Sequence, residues 1–326
     1  MPWHTVVMSR PPITVLGSGV SGLTSALALG TAGYSVEIVT AAPPLETTSV
    51  VAAAVWYPSA EEPRRETEAW SRASLSRFLE LIDTPGSGVF PTRIREYLDR
   101  PNVPEWSEWV PGYRELMTDE VPTGYAAGFE ISVPRIVPPR YLPYLVGRLE
   151  DVGATITVGP PVGDLADLVR PDHIVVNCAG LGARQLIGDQ ELFPIRGQVV
   201  TVTNPGLTDG RLDETAPVDI GYVFPRIDEV ILGGTRQIRD ERVDPDAATT
   251  ARILADAVRL EPRLAGAEVR TVQVGLRPGR PSVRVATERI NDGWVVHNYG
   301  HGGSGYTLSW GCAAEVLRLV DGVSGA

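Results

Sequence analysis

A glycine-rich turn near the start of the chain is the first place where residue types and spacing could do chemistry. Residues 17–22 (GSGVSG) form a GxGxxG between the apolar run 13–16 and a stretch with helical spacing. Gly17 allows a tight turn, Gly19 lets a pyrophosphate approach the backbone, and Gly22 lets the helix pack on the strand. The helix N-terminus offers unpaired N–H groups to phosphates. The pattern predicts a dinucleotide site with contacts from Gly17, Gly19, Val20, Ser21 and Gly22.

A second group of glycines and one arginine loop lie late in the chain. Glycines between positions 300 and 305 let the backbone approach something flat or anionic, and a helix pattern follows them. Arg277 lies within residues 275–281 (GLRPGRP), and a guanidinium can hold a carboxylate through two parallel hydrogen bonds. An arginine between glycine and proline is, taken alone, more often a solvated loop residue. The residue type by itself therefore leaves the role of Arg277 open.

The elements that would position these residues follow an α/β pattern. The glycine turn, a helix pattern over 23–29 and a β run over 35–39 complete a β-α-β unit of the usual length. A buried-strand pattern at 174–180 ends in glycine, and a last strand at 293–297 precedes a helix from about 307 to 320. These elements predict a doubly wound, Rossmann-like α/β domain.

The middle of the chain differs in character from both ends. It is rich in tryptophan and proline, and we interpret it as a helix over about 66–81 joined to long loops. Runs at 198–202, 222–225 and 230–233 have the character of antiparallel strands, and 247–259 has helical spacing. These segments indicate a second unit with a mixed or antiparallel sheet.

The end of the second β run lacks one residue that dinucleotide sites usually carry. An acidic residue about 20 positions after the glycine turn normally bonds the ribose hydroxyls. The corresponding residues are Thr40, Ala41 and Ala42, and Glu37 lies inside the strand. Backbone groups must hold the ribose, or the contact at this strand is weak.

Composition excludes several classes of function. The 326 residues carry a net charge of −11, with 43% hydrophobic and 21% charged residues, so a sizeable core is expected and a nucleic-acid surface is not. Cys178 and Cys312 are too few for a disulfide framework or a zinc site, and each is expected to be a buried hydrophobic residue. No metal is expected.

Membrane attachment is not expected either. No run approaches the ~18 apolar residues that a membrane span requires. The first residues lack the apolar core of a signal peptide, so the expected compartment is the cytoplasm. The oligomeric state is left open, with a homodimer as one alternative.

Several stretches resemble the family of D-amino acid oxidases and D-aspartate oxidases. Residues 295–307 (VVHNYGHGGSGYT) are similar to the signature of that family, and 275–281 are similar to its carboxylate-binding arginine loop. Residues 47–58 resemble its flavin-contacting segment. Shorter matches occur at 196–198 (RGQ), 222–225 (YVFP) and 310–313 (WGCA). The matches follow the order of the family from residue 13 to residue 315.

The resemblance implies a division of the chain into two domains. An FAD-binding domain would comprise residues 11–80, 141–192 and 270–322. A substrate domain would comprise residues 81–140 and 193–269.

FAD is the cofactor that the resemblance implies. The second glycine cluster would then meet the N1/C2 edge of the flavin, which becomes negative on reduction, and Thr307 would donate to the C2 oxygen. The residues expected to contact FAD besides those of the glycine turn are Thr47, Thr48, Ser49, Ala53, Ala54, Gly302, Gly303, Gly305, Tyr306 and Thr307.

The resemblance also implies a reaction and its residues. Arg277 and Tyr222 would hold the substrate carboxylate, and the carbonyl of Gly303 would accept a hydrogen bond from the amine. A hydride would leave Cα for flavin N5, and the imino acid would hydrolyse to a 2-oxo acid and ammonia. Oxygen would reoxidise the flavin and yield hydrogen peroxide. The expected partners are therefore a D-amino acid and oxygen, and no general base is required.

The side-chain pocket is expected to include Val55, Tyr57, Arg236 and Ser304. Residues 233–237 (GGTRQ) resemble the D-aspartate branch, in which an arginine at the position of Arg236 recognises the side-chain carboxylate. Arg135 is a second candidate for the pocket wall. A neutral or basic D-amino acid is the first hypothesis, and D-aspartate or D-glutamate is the rival.

The chain departs from the family at a lid loop and leaves other functions open. Vertebrate members carry a tyrosine at the position of Val218, and the connection over 206–221 is short, which puts lid-controlled product release in doubt. A flavin dehydrogenase with another electron acceptor is the nearest alternative. A glycine or sarcosine oxidase would not be expected to show the HNYGHGG run, and an NAD dehydrogenase would leave it unexplained. A flavin protein without catalysis would need neither Arg277 nor Tyr222, and His297 and His301 receive no catalytic role.

Overall fold

Two β-sheets, each built from separate stretches of the chain, carry the fold. The computed structural model describes residues 10–58, 60–215 and 219–324. The strands of these residues are β1 (Ile13–Leu16), β2 (Val36–Thr40), β3 (Val89–Leu98), β4 (Arg114–Glu115), β5 (Ala127–Ile136), β6 (Thr155–Val158), β7 (Ile174–Asn177), β8 (Phe193–Thr203), β9 (Gly210–Asp213), β10 (Asp219–Pro225), β11 (Glu229–Thr235), β12 (Gln237–Ile238), β13 (Val269–Gly279), β14 (Arg284–Ile290) and β15 (Gly293–Tyr299).

Helices connect the strands of the two sheets. Those in the described part of the chain are α1 (Val20–Thr31), α2 (Thr48–Val51), α3 (Arg64–Ile82), α4 (Pro138–Asp151), α5 (Ala183–Leu186), α6 (Ala247–Leu260) and α7 (Gly305–Ser324). Local sequence accounts for where some of them begin. The side chain of Asp246 caps α6 by accepting a hydrogen bond from the Thr249 N–H at 2.7 Å, and α4 begins at Pro138.

The first sheet has six strands in the order β14-β15-β7-β1-β2-β6. Its strands are parallel except for β14, which pairs antiparallel with β15 at one edge. Every residue of β1 and β7 is buried, which is why these runs are continuously apolar or nearly so. α7 packs against α1 and α3. The predicted Rossmann-like α/β domain is confirmed.

The second sheet has nine strands. Its main order is β12-β8-β11-β10-β9-β3-β5-β4, and β13 pairs with β8 off this path. β3 and β9 are parallel and the other pairs are antiparallel, so this is the mixed sheet that the sequence indicated. The amphipathic helix α6 buries Ile253, Ala257 and Leu260 in a cluster that includes Val200 and Val223 of this sheet.

The middle of the chain was interpreted wrongly between residues 83 and 137. The helix there is α3, as expected, but two long strands, β3 and β5, replace the expected long loops. The prolines that suggested loops, Pro91 and Pro134, face each other across this pair. β9 pairs with β3 only from Ile94 onward, and β4 pairs with β5 only at Glu130 and Phe129. Both prolines therefore lie beyond the residues that β9 and β4 pair, in line with the placement of proline near sheet edges. At Pro134 the other edge of β5 meets residues 54–56 instead, where the Trp56 N–H donates to the Pro134 carbonyl at 3.0 Å.

The expected domain boundary at residue 270 divides a strand from its sheet. β13 is hydrogen-bonded to β8 from Val269 to Gly279, so the arginine loop belongs to the second sheet by its backbone pairing. A division drawn by sheets would place that boundary after Gly279. The two-domain division itself stays a prediction.

Membrane-spanning helices and the lid position are the two remaining features predicted from the sequence. In the part of the chain that the structure describes, every helix falls short of the length or the apolarity needed to cross a membrane. Val218, at the position of the lid tyrosine, lies outside the described residues.

The contact between α3 and α7 generates a stability prediction. A methyl group added at Gly311 would lie 2.2 Å from the backbone Cα and O of Trp70, and the Gly311 N–H donates to Ser74 Oγ at 3.0 Å. Gly311→Ala should lower the free energy of unfolding by about 2 kcal/mol or more, because both contacts would have to open. Thermal and urea unfolding would measure the loss. Gly322→Ala is the control, since an added Cβ there has no atom within 4 Å. Equal stability of the two variants would contradict this packing.

Candidate active site

One cavity of about 940 Å³ collects nearly all of the residues proposed from the sequence. It begins at the carboxyl ends of β1, β2 and β7, where parallel α/β sheets bind their ligands, and reaches the inner residues of β10 and β13. The proposed residues that line it are Gly17, Gly19, Val20, Ser21, Thr47, Thr48, Ser49, Ala53, Ala54, Val55, Tyr57, Tyr222, Arg236, Arg277, Gly302, Gly303, Ser304, Gly305, Tyr306 and Thr307. Gly22 and Arg135 are the proposed residues that are not among the described residues lining it.

The glycine turn at the start of α1 has the geometry that its sequence predicts. Gly17 has φ +97°, and an added Cβ would lie 2.7 Å from the carbonyl oxygen of Cys178 on β7. At Gly22 an added Cβ would lie 1.9 Å from the carbonyl oxygen of Gly17. Gly22 thus shapes the turn by packing behind it instead of facing the cavity. The N-terminus of α1 is left open to a phosphate group, as this motif requires.

Segments that are distant in sequence hold the glycine turn in place. The N–H of Val20, at the first turn of α1, donates to Ser49 Oγ at 3.0 Å. The hydroxyl of Tyr306 on α7 donates to the carbonyl oxygen of Ser49 at 2.9 Å. The glycine turn, the segment before α2 and the start of α7 therefore form one wall, which fits a dinucleotide with a flavin at its far end.

The ribose end of this wall lacks an acidic side chain. Thr40 Oγ1 and Ser18 Oγ both donate to the carbonyl oxygen of Ala42, at 2.9 and 2.7 Å. Glu37 accepts from Thr157 Oγ1 at 2.8 Å, and it is not among the described residues that line the cavity. The gap noted in the sequence is present in the structure.

The expected flavin-contacting segment and α7 meet at Tyr57. Ala54 has φ +55°, a left-handed conformation that is uncommon outside glycine and clusters at functional sites. Thr307 Oγ1 donates to the carbonyl oxygen of Tyr57 at 3.0 Å. The Thr307 hydroxyl, which is expected to donate to the flavin C2 oxygen, therefore donates to the protein backbone in this structure. The backbone N–H groups at the start of α7 remain as donors.

Arg277 and Tyr222 are placed side by side by glycines on the strands around them. An added Cβ at Gly197 would lie 2.5 Å from Arg277 Cζ, and one at Gly233 would lie 1.8 Å from Tyr222 Cζ. Arg277 donates to the carbonyl oxygen of Thr235 at 2.9 Å. Burial lowers the pKa of Arg277 and raises that of Tyr222, and the Arg277 charge opposes the shift at Tyr222. Arg277 forms no ion pair with any carboxylate of the described residues, so its charge is available to a ligand.

Arg236 lines the same cavity instead of facing solvent alone. It is half exposed and lies 3.8 Å from Glu214 Oε1, which also lines the cavity. The charge of Arg236 adds to burial in lowering the pKa of Arg277, so the two guanidinium groups interact electrostatically across the site. Arg135, the other candidate, is not among the described residues lining the cavity. It donates to the carbonyl oxygen of Pro225 at 2.6 Å and lies over the Phe90 ring, so that hypothesis is wrong.

A buried carboxyl group lies behind the cavity wall at Tyr57. The Tyr57 hydroxyl donates to Glu96 Oε2, and Glu96 is 6% exposed. Burial raises the pKa of Glu96 to about 7; the Tyr57 hydrogen bond opposes this rise, and the charges of Glu214 and Asp213 add to it. Burial, followed by the Glu96 charge, also raises the pKa of Tyr57 well above its ordinary value.

The histidines and cysteines have structural positions. His297 lies 2.9 Å from Glu288 Oε2 and His301 lies 3.0 Å from Asn298 Oδ1 through their Nε2 atoms. Burial is the main cause that lowers the pKa of each histidine to about 4. Cys178 and Cys312 are free and buried, as expected.

Sequence reasoning missed several residues of this site, among them two acidic residues and one glycine. Glu61 and Glu214 line the cavity, and Gly197 makes room for the guanidinium of Arg277. Glu61 follows the flavin-contacting segment by only a few positions, but no spacing marked it. Gly197 was noticed only as part of the RGQ match.

The family and the cofactor follow from comparison with known proteins. The DAO family, described as FAD dependent oxidoreductase, matches residues 12–319. The chain therefore belongs to this family of FAD-dependent oxidoreductases, which confirms FAD as its cofactor.

Within that family the relatives agree with the predicted resemblance. A D-amino-acid oxidase of Rubrobacter xylanophilus is 43% identical over 308 residues, or 94% of each chain. A D-amino-acid oxidase of Dictyostelium discoideum is 37% identical over 95% of this chain and 91% of its own. D-aspartate oxidase of Homo sapiens is 35% identical over 96% of each. The membership inferred from the HNYGHGG and GLRPGRP stretches is confirmed.

A solved structure shows the same fold at low sequence identity. Glycine oxidase from Bacillus cereus superimposes with a TM-score of 0.79 at 18% identity, covering 96% of each chain. This likeness supports the arrangement of the two sheets.

The packing of Gly22 generates a prediction about the cofactor. Gly22→Ala should weaken FAD binding at least tenfold, because the added methyl group would push the carbonyl of Gly17 into the cradle. Titration of the apoprotein with FAD, followed by flavin fluorescence, gives the affinity. Gly182→Ala is the matched control in the same cavity, since its Cβ would make an ordinary 3.5 Å contact with Ala179 Cβ. Unchanged affinity in Gly22→Ala would exclude this role.

Glu96 generates a prediction about pH. Its pKa is raised from 4.5 to about 7 in the folded protein. The folded state therefore holds the proton more tightly than the unfolded state, and the protein loses stability as pH rises from 4.5 through 7. Glu96→Gln keeps an acceptor for Tyr57 and removes the charge. Its free energy of unfolding relative to the parent should therefore rise between pH 5 and pH 8, by at most about 3 kcal/mol. Urea unfolding across this range would measure it. A difference independent of pH would mean that Glu96 titrates normally.

Proposed function

We propose that the protein oxidises D-amino acids with oxygen, forming a 2-oxo acid, ammonia and hydrogen peroxide. The observation that carries this proposal is Arg277, a guanidinium without an ionic partner among the described residues, in the same cavity as the FAD cradle. An enclosed cation of this kind favours an anionic ligand strongly. Relatives named D-amino-acid oxidase at 37–43% identity support the amino acid as that ligand and the D configuration.

Arg277 and Tyr222 bind the substrate carboxylate. The planar guanidinium donates two parallel hydrogen bonds, and the Tyr222 hydroxyl adds a third donor from the neighbouring strand. Tyr222 is 7% exposed and lies next to the positive charge of Arg277, so its hydroxyl is held within the site. The carboxylate is fixed in this way at the end of the cavity formed by the second sheet.

The start of α7 orients the other end of the substrate. The carbonyl of Gly303 accepts a hydrogen bond from the amine, while bound FAD supplies the acceptor for the hydride that leaves Cα. An added Cβ at Gly303 would lie 3.9 Å from Arg277 Cδ, so the two groups are close enough to hold one small molecule. Fixing the carboxylate, the amine and the Cα–H together selects one enantiomer. No side chain is needed to remove the Cα proton as an acid.

The residues proposed to hold FAD divide into three groups. The glycine turn cradles the phosphates, the segment before and after α2 lies along the cofactor, and the start of α7 faces the flavin with its N–H groups. They are Gly17, Gly19, Val20, Ser21, Thr47, Thr48, Ser49, Ala53, Ala54, Gly302, Gly303, Gly305, Tyr306 and Thr307.

The side chain of the substrate occupies the space near Val55, Tyr57, Arg236 and Ser304. Arg236 has Glu214 as a neighbour at 3.8 Å, which weakens its attraction for a second carboxylate. A neutral or basic D-amino acid is therefore the favoured substrate. D-aspartate is the second candidate, because Arg236 lines the cavity and the human D-aspartate oxidase is 35% identical.

The test is peroxide release by the FAD-loaded protein with a panel of D- and L-amino acids. Arg277→Ala should lower kcat/KM for the best D-amino acid by about 3 kcal/mol or roughly a hundredfold, because two charge-assisted hydrogen bonds are lost. Bound FAD should be retained. Arg270→Ala is the control, since Arg270 is an exposed arginine on the same strand.

Three outcomes would change the proposal. Flavin reduction by D-amino acids without oxygen uptake would indicate a dehydrogenase with another acceptor. Full activity in Arg277→Ala would remove Arg277 from the site. Absence of both flavin reduction and peroxide across the panel would overturn the proposed function.

A further inference from the structure

Glu61 places a carboxylate against the loop that precedes α7. An added Cβ at Gly302 would lie 2.7 Å from Glu61 Oε1, so the carboxylate lies directly on that glycine. Ser304 Oγ donates to the same oxygen at 3.4 Å, and the Gly303 N–H also bonds the carboxylate. Glu61 lines the cavity of the active site. The carboxylate is therefore anchored by the same loop that carries the proposed amine acceptor, Gly303.

Arg277 also lies close to this loop. The Gly302 N–H donates to the carbonyl oxygen of Pro278 at 2.8 Å, which ties the loop to the strand that carries Arg277. A Cβ added at Gly303 would lie 3.9 Å from Arg277 Cδ. A cation and an anion thus lie beside the neighbouring residues Gly303 and Gly302, within one cavity.

The charges around Glu61 come from several elements. Burial raises the pKa of Glu61, and the Ser304 hydrogen bond, the Arg236 charge and the Gly303 hydrogen bond oppose the rise in that order. Arg236, which follows β11, is shared with Glu214. The carboxylate is therefore partly desolvated, and an additional cationic ligand would stabilise its charged form.

We propose that Glu61 binds an ammonium group of the substrate. This inference rests on the proposed function and extends it to the charge opposite the carboxylate. An amino acid is a zwitterion, and Arg277 and Glu61 present the complementary pair of charges in one cavity. The substrate carboxylate and ammonium would each form hydrogen bonds with a group of opposite charge, and such hydrogen bonds are stronger than those between neutral groups. Glu61 is then a binding residue that adds to the carbonyl of Gly303.

The ammonium group could come from two positions in the substrate. The α-ammonium is present in every amino acid, and a side-chain ammonium is present in D-lysine. Glu61 contacts the loop expected to face the α-amine, while its electrostatic neighbour Arg236 lies by the side-chain pocket. Both sources have the same chemistry, and kinetics with suitable pairs of substrates separates them.

The first experiment measures binding without turnover. 2-Aminoisobutyrate carries an α-ammonium but no Cα–H, and isobutyrate differs from it by lacking the ammonium group. Both would be titrated into the FAD-loaded protein, with the flavin absorption spectrum as the signal. If Glu61 binds the α-ammonium, Glu61→Gln should weaken 2-aminoisobutyrate binding roughly tenfold and leave isobutyrate binding unchanged or tighter, because only the first ligand loses a charged partner.

The second experiment compares kcat/KM for D-norleucine and D-lysine at pH 8. If Glu61 binds the α-ammonium, Glu61→Gln lowers both values by a similar factor. If Glu61 binds a side-chain ammonium, Glu61→Gln lowers kcat/KM for D-lysine only, and the affinity for 2-aminoisobutyrate is unchanged. Either pattern supports the proposal. Unchanged affinity for 2-aminoisobutyrate together with an unchanged ratio of the two kcat/KM values overturns it.

The control is Glu62→Gln, the same change at the adjacent, exposed glutamate outside the described cavity lining. FAD content and melting temperature of each variant show whether the fold is intact. The proposed function is tested separately by D-amino acid oxidation in the parent protein. An active parent with no effect of Glu61→Gln on either experiment would reject Glu61 alone.

Discussion

The enclosed cation of Arg277 is the constraint on which the architecture of the site depends. A guanidinium removed from water without a counter-ion costs several kcal/mol, so the protein must hold it by other means. The Thr235 carbonyl and the adjacent Tyr222 hydroxyl interact with it, and Gly197 leaves room for its planar group. In the proposed function a carboxylate ligand would offset the remaining cost, which would make the site selective for anions before any side chain is considered.

The second sheet positions Arg277 through the register of its strands. β13 pairs with β8 along ten residue pairs that end at Gly279, and this register puts Arg277 opposite Ile195 with Gly197 nearby. The loop after β15 then reaches the same strand through the hydrogen bond between Gly302 and Pro278. The wall that begins at the glycine turn and the strand that carries Arg277 are thus joined at one place, where the proposed hydride transfer would require cofactor and substrate to meet.

In the proposed function the charges around the pocket would favour some amino acid side chains over others. Arg236 would favour an acidic side chain, but Glu214 lies 3.8 Å from it and Glu61 interacts with it electrostatically. Glu96, with its pKa raised to about 7 by burial, lies behind Tyr57 and adds negative charge as pH rises. An arginine at this position is therefore not by itself evidence of a preference for D-aspartate.

The sequence alone determined the features that depend on neighbours along the chain. The β-α-β unit around Gly17, Gly19 and Gly22 is predictable because the spacing of the glycines fixes the turn locally: Gly17 has φ +97°, and Gly22 packs against the Gly17 carbonyl. The resemblance in residues 275–281 and 295–307 identified Arg277 and the start of α7 without any contact being known.

Only the tertiary structure decided what depends on contacts between distant segments. Pro91 and Pro134 indicate loops, yet both lie in strands, at positions that β9 and β4 do not pair. Arg135 donates a hydrogen bond to the Pro225 carbonyl and is not among the described residues that line the cavity. Glu61 entered it, because the loop before α3 packs on Gly302, which is far away in sequence. Side-chain burial and charge pairing arise from such long-range packing, and no local pattern encodes them.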